Sequence, residues 1–121
     1  MVLLPPCGGS NESTGAWAGW LKDQGYVAFI VDSFSPRGSR NACQGEAPTV
    51  PAAARDATDA LAYLKTLPFV NGARVALMGW SHGAAATLSA SGIYGRPSFG
   101  PGSTLVFAAA VAFYPACHFF D

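Results

Sequence analysis

The sequence predicts an α/β fold: three layers, α/β/α, built around a parallel sheet of about four strands. Two observations carry this. First, four short apolar runs, at residues 2–4, 26–31, 73–78 and 104–114, are spaced along the chain. They are apolar throughout rather than alternating, which is the pattern of strands covered on both faces, as in parallel sheets. Second, the stretches between these runs carry helical periodicity or small-residue helix composition, bounded by Gly, Pro and Asn breaks. Strand, helix, strand, helix, strand, helix, strand is the order of a parallel sheet with right-handed crossovers.

The elements follow in sequence. Val2-Leu3-Leu4 is a strand stopped by Pro5-Pro6, and a loop of small residues runs from Cys7 to Asn11. Ser13 or Thr14 is expected to cap a helix that places Trp17, Trp20 and Leu21 on one core-facing side, with Gly25 as its stop. Residues 26–31 form the second strand, ended by Asp32. A long Ser/Gly/Pro loop, residues 32–48, carries Arg37 and Arg40. Thr49 and Pro51 open a second helix that buries Ala53, Ala57, Ala60, Leu61 and Leu64. Its other side carries Arg55, Asp56, Asp59 and Lys65, with Arg55 and Asp59 spaced as a solvated i, i+4 pair. Pro68 and Asn71-Gly72 break the chain before the third strand, residues 73–78. Residues 79–83 turn into a small-residue helix ending near Gly92. A Gly/Pro/Ser loop, residues 93–103, leads to the fourth strand, residues 104–114.

Composition narrows the function. The chain has 121 residues, 50% apolar and 12% charged, with seven basic and seven acidic side chains, so its net charge is zero. Disorder would need fewer apolar residues, nucleic-acid binding a basic stripe, and membrane-surface binding a basic amphipathic helix. The longest uncharged apolar run is too short to cross a bilayer, and no signal-peptide pattern opens the chain. Three widely spaced cysteines, Cys7, Cys43 and Cys117, form no metal or redox motif. They read as reduced thiols, which points to a reducing, cytoplasmic compartment. The low charge is unusual for a small domain, where about a quarter is ordinary. It implies burial against a partner or membership of something larger.

In open parallel sheets, ligands bind beyond the carboxyl ends of the strands. At one such end stands Gly79-Trp80-Ser81-His82-Gly83, a G-x-S-x-G pattern between a predicted strand and a predicted helix, the setting of a nucleophile elbow. The glycines two residues before and after the serine remove the Cβ atoms a tight turn would crowd. The serine oxygen then stands above the sheet, at the positive end of the following helix. The competing reading is a plain strand-to-helix turn capped by Ser81. The backbone amide of His82 is the expected first oxyanion donor. Cys7 is the expected second, because Pro5 and Pro6 have no N–H. Trp80 is expected to line the pocket or pack beneath it. Asp32 and Arg37 are expected to order their loop or form the pocket rim.

These pieces together resemble the dienelactone hydrolase family of α/β-hydrolases. The resemblance rests on Val2-Leu3-Leu4 with Cys7-Gly8-Gly9, Gly25-Tyr26-Val27-Ala28, and Val31-Asp32-Ser33-Phe34 with Pro36-Arg37-Gly38. It continues through Asp59-Ala60-Leu61 with Tyr63-Leu64, then residues 74–83, and Phe113-Tyr114-Pro115, all in family order. It implies a partial α/β-hydrolase domain over residues 1–121, holding the family's third to sixth strands. It also implies a serine hydrolase of ester or lactone bonds with Ser81 as nucleophile, no metal and no cofactor, acting on a small-molecule substrate. Family members often carry His-Gly where this chain has Pro5-Pro6. In the family, the catalytic acid and histidine follow the seventh and eighth strands. The chain is therefore expected to be a fragment, inactive or slow alone. His118, with Asp121, is the alternative base and acid the chain itself offers. The second and fourth strands would be sheet edges, apolar and uncharged, so the rival expectation is a non-catalytic module that pairs through them. Nucleotide binding finds no support, since neither G-x-G-x-x-G nor a P-loop lysine is present.

Overall fold

The computed structural model describes residues 1–92 and 106–120. Seven main elements follow the predicted order: β1 (Val2–Leu4), α1 (Glu12–Asp23), β2 (Phe29–Ile30), α2 (Val50–Leu64), β3 (Ala76–Trp80), α3 (His82–Ala90) and β4 (Ala109–Phe113). The four strands form one parallel sheet in the order β2-β1-β3-β4. The fold is α/β, with β1 and β3 central and β2 and β4 at the edges, as the sequence predicts.

Strand alternation divides the core into two layers. Val2, Leu4 and Leu77 point into one cluster with Ala53, Ala54, Ala57, Leu61 and Leu64 of α2 and with Ala85, Ala86 and Ala90 of α3. Leu3, Met78 and Trp80 point to the other face, against Leu21 of α1, with Trp17 and Ala18 packed alongside. Alanine on both α2 and α3 lets these helices lie close to each other and to the sheet. The buried hydroxyls of Thr58 and Thr87 donate to the carbonyls of Ala54 and Gly83, each 2.8 Å away, so burying them leaves no unmet donor.

Several boundaries differ from expectation. The cap of α1 is Asn11, whose side chain accepts from the Thr14 amide at 3.0 Å, rather than Ser13 or Thr14. Trp20 is 53% exposed and is not a core residue. The helix reaches the sheet through Leu21 and Trp17, and the step of about 100° between adjacent helical residues leaves Trp20 outside. The second strand is regular only at Phe29–Ile30; Tyr26 and Val27 lie exposed before it. The third strand begins later than predicted, at Ala76. The Asn71 carbonyl and side chain hold the Arg74 and Ala73 amides in a turn, and the strand runs on through Gly79 and Trp80. The fourth is regular over Ala109–Phe113. The predicted loop at residues 93–103 and the first part of the predicted fourth strand, residues 104 and 105, lie outside the described residues. The second helix matches its prediction, with Thr49 as cap and Pro51 in its first turn.

The thiol expectation is overturned. Cys7 and Cys43 form a disulfide, and Cys117 is the free cysteine among the described residues. Their separation of 36 positions in sequence carries no signal of pairing; the fold of the long loop back over β1 brings them together. The cytoplasmic expectation, which rested on reduced thiols, loses its basis.

Candidate active site

β3 and α3 meet at Ser81. The serine has φ 52° and ψ −112°, a left-handed backbone conformation that a non-glycine residue adopts only when its surroundings hold it. They do. The Ser81 amide donates to the Phe113 carbonyl of β4 at 3.1 Å, and the Ser81 carbonyl accepts from the Ala85 and Ala116 amides at 3.0 and 3.3 Å. The side chain makes no capping bond to α3. A capping serine would have extended backbone and a bonded hydroxyl. Ser81 has neither, so the plain capped turn is not what this chain forms.

The two flanking glycines are sterically required. A Cβ on Gly79 would overlap the Gly83 carbonyl and the Thr87 hydroxyl. A Cβ on Gly83 would overlap the carbonyl oxygens of Leu4 and Pro5. The first contact sets α3 tight against β3. The second sets the start of α3 directly against the end of β1, where the Pro5-Pro6-Cys7 loop begins.

That loop is the second half of the candidate site. The Pro6 carbonyl accepts from the Gly9 amide at 2.9 Å, closing a tight turn, and the Cys7 carbonyl accepts from Ala42 at 2.7 Å. Both candidate oxyanion donors, the amides of Cys7 and His82, therefore stand at the carboxyl end of the central strands. The His82 amide is in the first turn of α3, where N–H groups have no intrahelical acceptor. Its side chain turns away. The imidazole is buried among Ala42, Gly45, Glu46, Pro48, Thr49, Val50 and Pro51, around a cavity of about 180 Å³. Burial lowers its pKa, while a bond to the Pro48 carbonyl opposes that shift. His82 is thus an anchor in the wall and offers no base toward Ser81.

The remaining predicted residues separate. Trp80 is buried under α1, stacked on Phe113 at 5.9 Å and near Trp17 at 6.0 Å, because its position in β3 faces the layer opposite α3. Asp32 orders its loop: its carboxylate accepts from the Phe34 and Ser35 amides at 2.9 and 3.0 Å. Bonds to Ser35 hold its pKa below the usual carboxylate range, with slight burial opposing. Arg37 reaches across to α2 and grips Asp56 with two bonds of 2.6 and 3.0 Å, while also donating to the Ser33 carbonyl at 2.7 Å. Asp56 therefore pairs with the loop, while Arg55 and Asp59 stand exposed on α2. Asp32 also borders a cleft of about 470 Å³ beyond β1 and β2, lined by Gly8, Gly9, Ser10, Phe34 and Arg40 among others. His118 lies exposed in the short 3-10 helix Cys117–Phe120, and Asp121 lies outside the described residues.

Sequence reasoning missed Cys43 and Pro48. Neither belongs to a motif, and their parts follow from the path of the long loop over the site. Among the described residues, no group of three or more His, Cys, Asp or Glu side chains is arranged to hold a metal ion, and no helix is long and apolar enough to cross a membrane. No protein-family model matches the chain, and no curated protein matches it.

Proposed function

We propose that the chain carries the nucleophile and oxyanion half of a serine hydrolase of the dienelactone hydrolase type, acting on ester or lactone bonds of small molecules. One observation carries this: Ser81 holds a left-handed backbone at a strand-to-helix turn, with an uncommitted hydroxyl and flanking glycines that admit no Cβ. Strain of this kind costs about 1–3 kcal/mol and persists where the structure enforces it. A turn that served only to join a strand to a helix would not require it.

In the proposed reaction the Ser81 Oγ attacks the carbonyl carbon. The charge that develops on the carbonyl oxygen falls between the amides of His82 and Cys7, at the positive end of α3. The carbon–oxygen bond to the leaving alcohol breaks, leaving an acyl-serine that water releases. The proton of Ser81 needs a base. Family resemblance puts a histidine and an acid after two further strands, and His118 is this chain's own candidate. Without a positioned base the reaction is slow, although an oxyanion site alone sustains a residual rate. No cofactor takes part in this scheme.

The test is acylation by p-nitrophenyl acetate, followed by mass spectrometry of the intact chain. A slow, single acetylation at Ser81 that Ser81→Ala abolishes is expected. Acetylation at the same rate in Ser81→Ala would refute the proposal. A second reading has one observation behind it: among the described residues β4 pairs only with β3, and Ala109, Ala110 and Val111 on it are exposed. An edge of this kind can pair with another chain. Sedimentation that shows an uncharged-edge dimer growing with concentration, lost in Val111→Lys, would favour that module.

A further inference from the structure

The long loop after β2 reaches both candidate oxyanion residues, and on Cys7 it does so without using the amide itself. On Cys7 it takes the carbonyl, through the Ala42 amide at 2.7 Å, and the sulfur, through the disulfide to Cys43. On His82 it takes the imidazole, through the Pro48 carbonyl. The loop in turn is held locally, since the Asn41 side chain accepts from the Cys43 amide at 2.7 Å. Within the Pro6–Cys7 peptide unit, the carbonyl is fixed by Gly9 at 2.9 Å. In a trans peptide the N–H points opposite to that carbonyl, so fixing the one aims the other. No hydrogen bond among the described residues takes up the Cys7 amide.

Resting on the hydrolase reading above, we infer that the Cys7–Cys43 disulfide is a positioning device: it holds the turn closed by the Pro6–Gly9 bond, and with it the Cys7 amide, in place beside Ser81, which makes acylation of Ser81 sensitive to thiol reductants. Cys43 touches no reacting atom and acts through Cys7. The chemistry is ordinary thiol–disulfide exchange. Dithiothreitol breaks the Sγ–Sγ bond in two exchanges and leaves thiols on Cys7 and Cys43. Its own two thiols become a cyclic disulfide, having given up two electrons and two protons. The freed loop then constrains Cys7 only through the Ala42 bond.

The experiment compares the oxidised chain, the dithiothreitol-reduced chain and Cys43→Ser, all in a Cys117→Ser background. Alkylation and intact mass count free thiols, far-UV circular dichroism follows the fold, and p-nitrophenyl acetate reports the acylation rate constant and the apparent KM. Removing one oxyanion donor costs about 100- to 1000-fold in rate. A donor that is misaimed rather than removed should cost about 10- to 100-fold. The expected result is no free thiol in the oxidised chain and a drop of that size in the acylation rate constant on reduction. The apparent KM and the circular dichroism should hold, and reoxidation should rescue the native pair but not Cys43→Ser. Ala42→Pro, which keeps the disulfide and removes the Ala42 N–H, should show a smaller drop. Equal acylation rates in oxidised and reduced chain overturn the inference while leaving the hydrolase reading intact. Two free thiols before reduction overturn it, as does unfolding on reduction, which makes the disulfide a general staple. If no form is acylated at Ser81, the hydrolase reading itself falls, and the inference falls with it.

Discussion

Replacing Gly83 with alanine separates local propensity from tertiary fit, because the two predict opposite signs. Gly83 lies in the first turn of α3, where alanine is favoured over glycine by at most the helix-interior difference of about 1 kcal/mol. If α3 were an ordinary helix, Gly83→Ala would stabilise the chain. The added methyl, however, would occupy the space of the Leu4 and Pro5 carbonyl oxygens. Both belong to backbone, at the end of a central strand paired on both sides, so neither can move aside cheaply. Overpacking of this kind costs roughly 1–3 kcal/mol, and backbone obstruction belongs at the upper end. The net expectation is destabilisation of about 2 kcal/mol. At about 4 °C per kcal/mol for a chain of this size, the midpoint should fall by about 8 °C. Gly19→Ala is the control: it lies in α1 with open space around its would-be Cβ. There only propensity acts, and the midpoint should rise by about 4 °C. Thermal unfolding followed by circular dichroism reads both. A Gly83→Ala chain as stable as the parent, or more so, would refute the close approach of α3 to β1 on which the site's geometry depends.

Three further outcomes follow from the same contacts. Ser81→Gly should stabilise the fold by about 1 kcal/mol in urea unfolding, since glycine relieves the left-handed strain, while abolishing acylation; a destabilised Ser81→Gly would argue against strain at this turn. Reducing the disulfide removes a cross-link spanning 36 positions, for which chain entropy gives about 3–4 kcal/mol; urea titrations with and without dithiothreitol measure it, and a loss under about 1 kcal/mol would contradict the cross-link. Burial lowers the pKa of His82, so the folded state favours its neutral form and the unfolded state binds the proton more readily. Its stability contribution is therefore present above the unfolded pKa of about 6.5 and lost as pH falls from there through the lower folded pKa. His82→Gln should flatten the decline in stability between pH 7 and pH 5, and an unchanged decline would place the titrating group elsewhere.

The parallel sheet and its order of elements were legible in the chain because they rest on local signals. Runs such as Val2-Leu3-Leu4 are apolar on both faces, α2 shows a buried stripe between Thr49 and Leu64, and breaks such as Asn71-Gly72 punctuate them. The tight turn at Ser81 was legible for the same reason: Gly79 and Gly83 stand at fixed short distances from Ser81, and the steric demand that selects them is met within one turn. Trp20 and Trp80 show where local pattern stops. Periodicity groups Trp20 with Leu21, and adjacency groups Trp80 with Ser81. Which side each ring takes depends on how α1 rotates against the sheet and on the alternation of β3, and those are properties of packing.

The contacts around the site belong to the same category. The Cys7–Cys43 bond, the grip of Arg37 on Asp56 and the Pro48 carbonyl on His82 each join residues far apart in sequence. No period or motif marks them, because their pairing depends on the route of one long loop across the carboxyl ends of the strands. Residue order along the chain was enough for the strands, the helices and the position of the serine. The surroundings of that serine, and the aim of the amides beside it, arose only when the sheet brought β1, β3 and the loop together. A short-range pattern can encode a turn, but contacts between distant segments exist only once the chain has closed on itself.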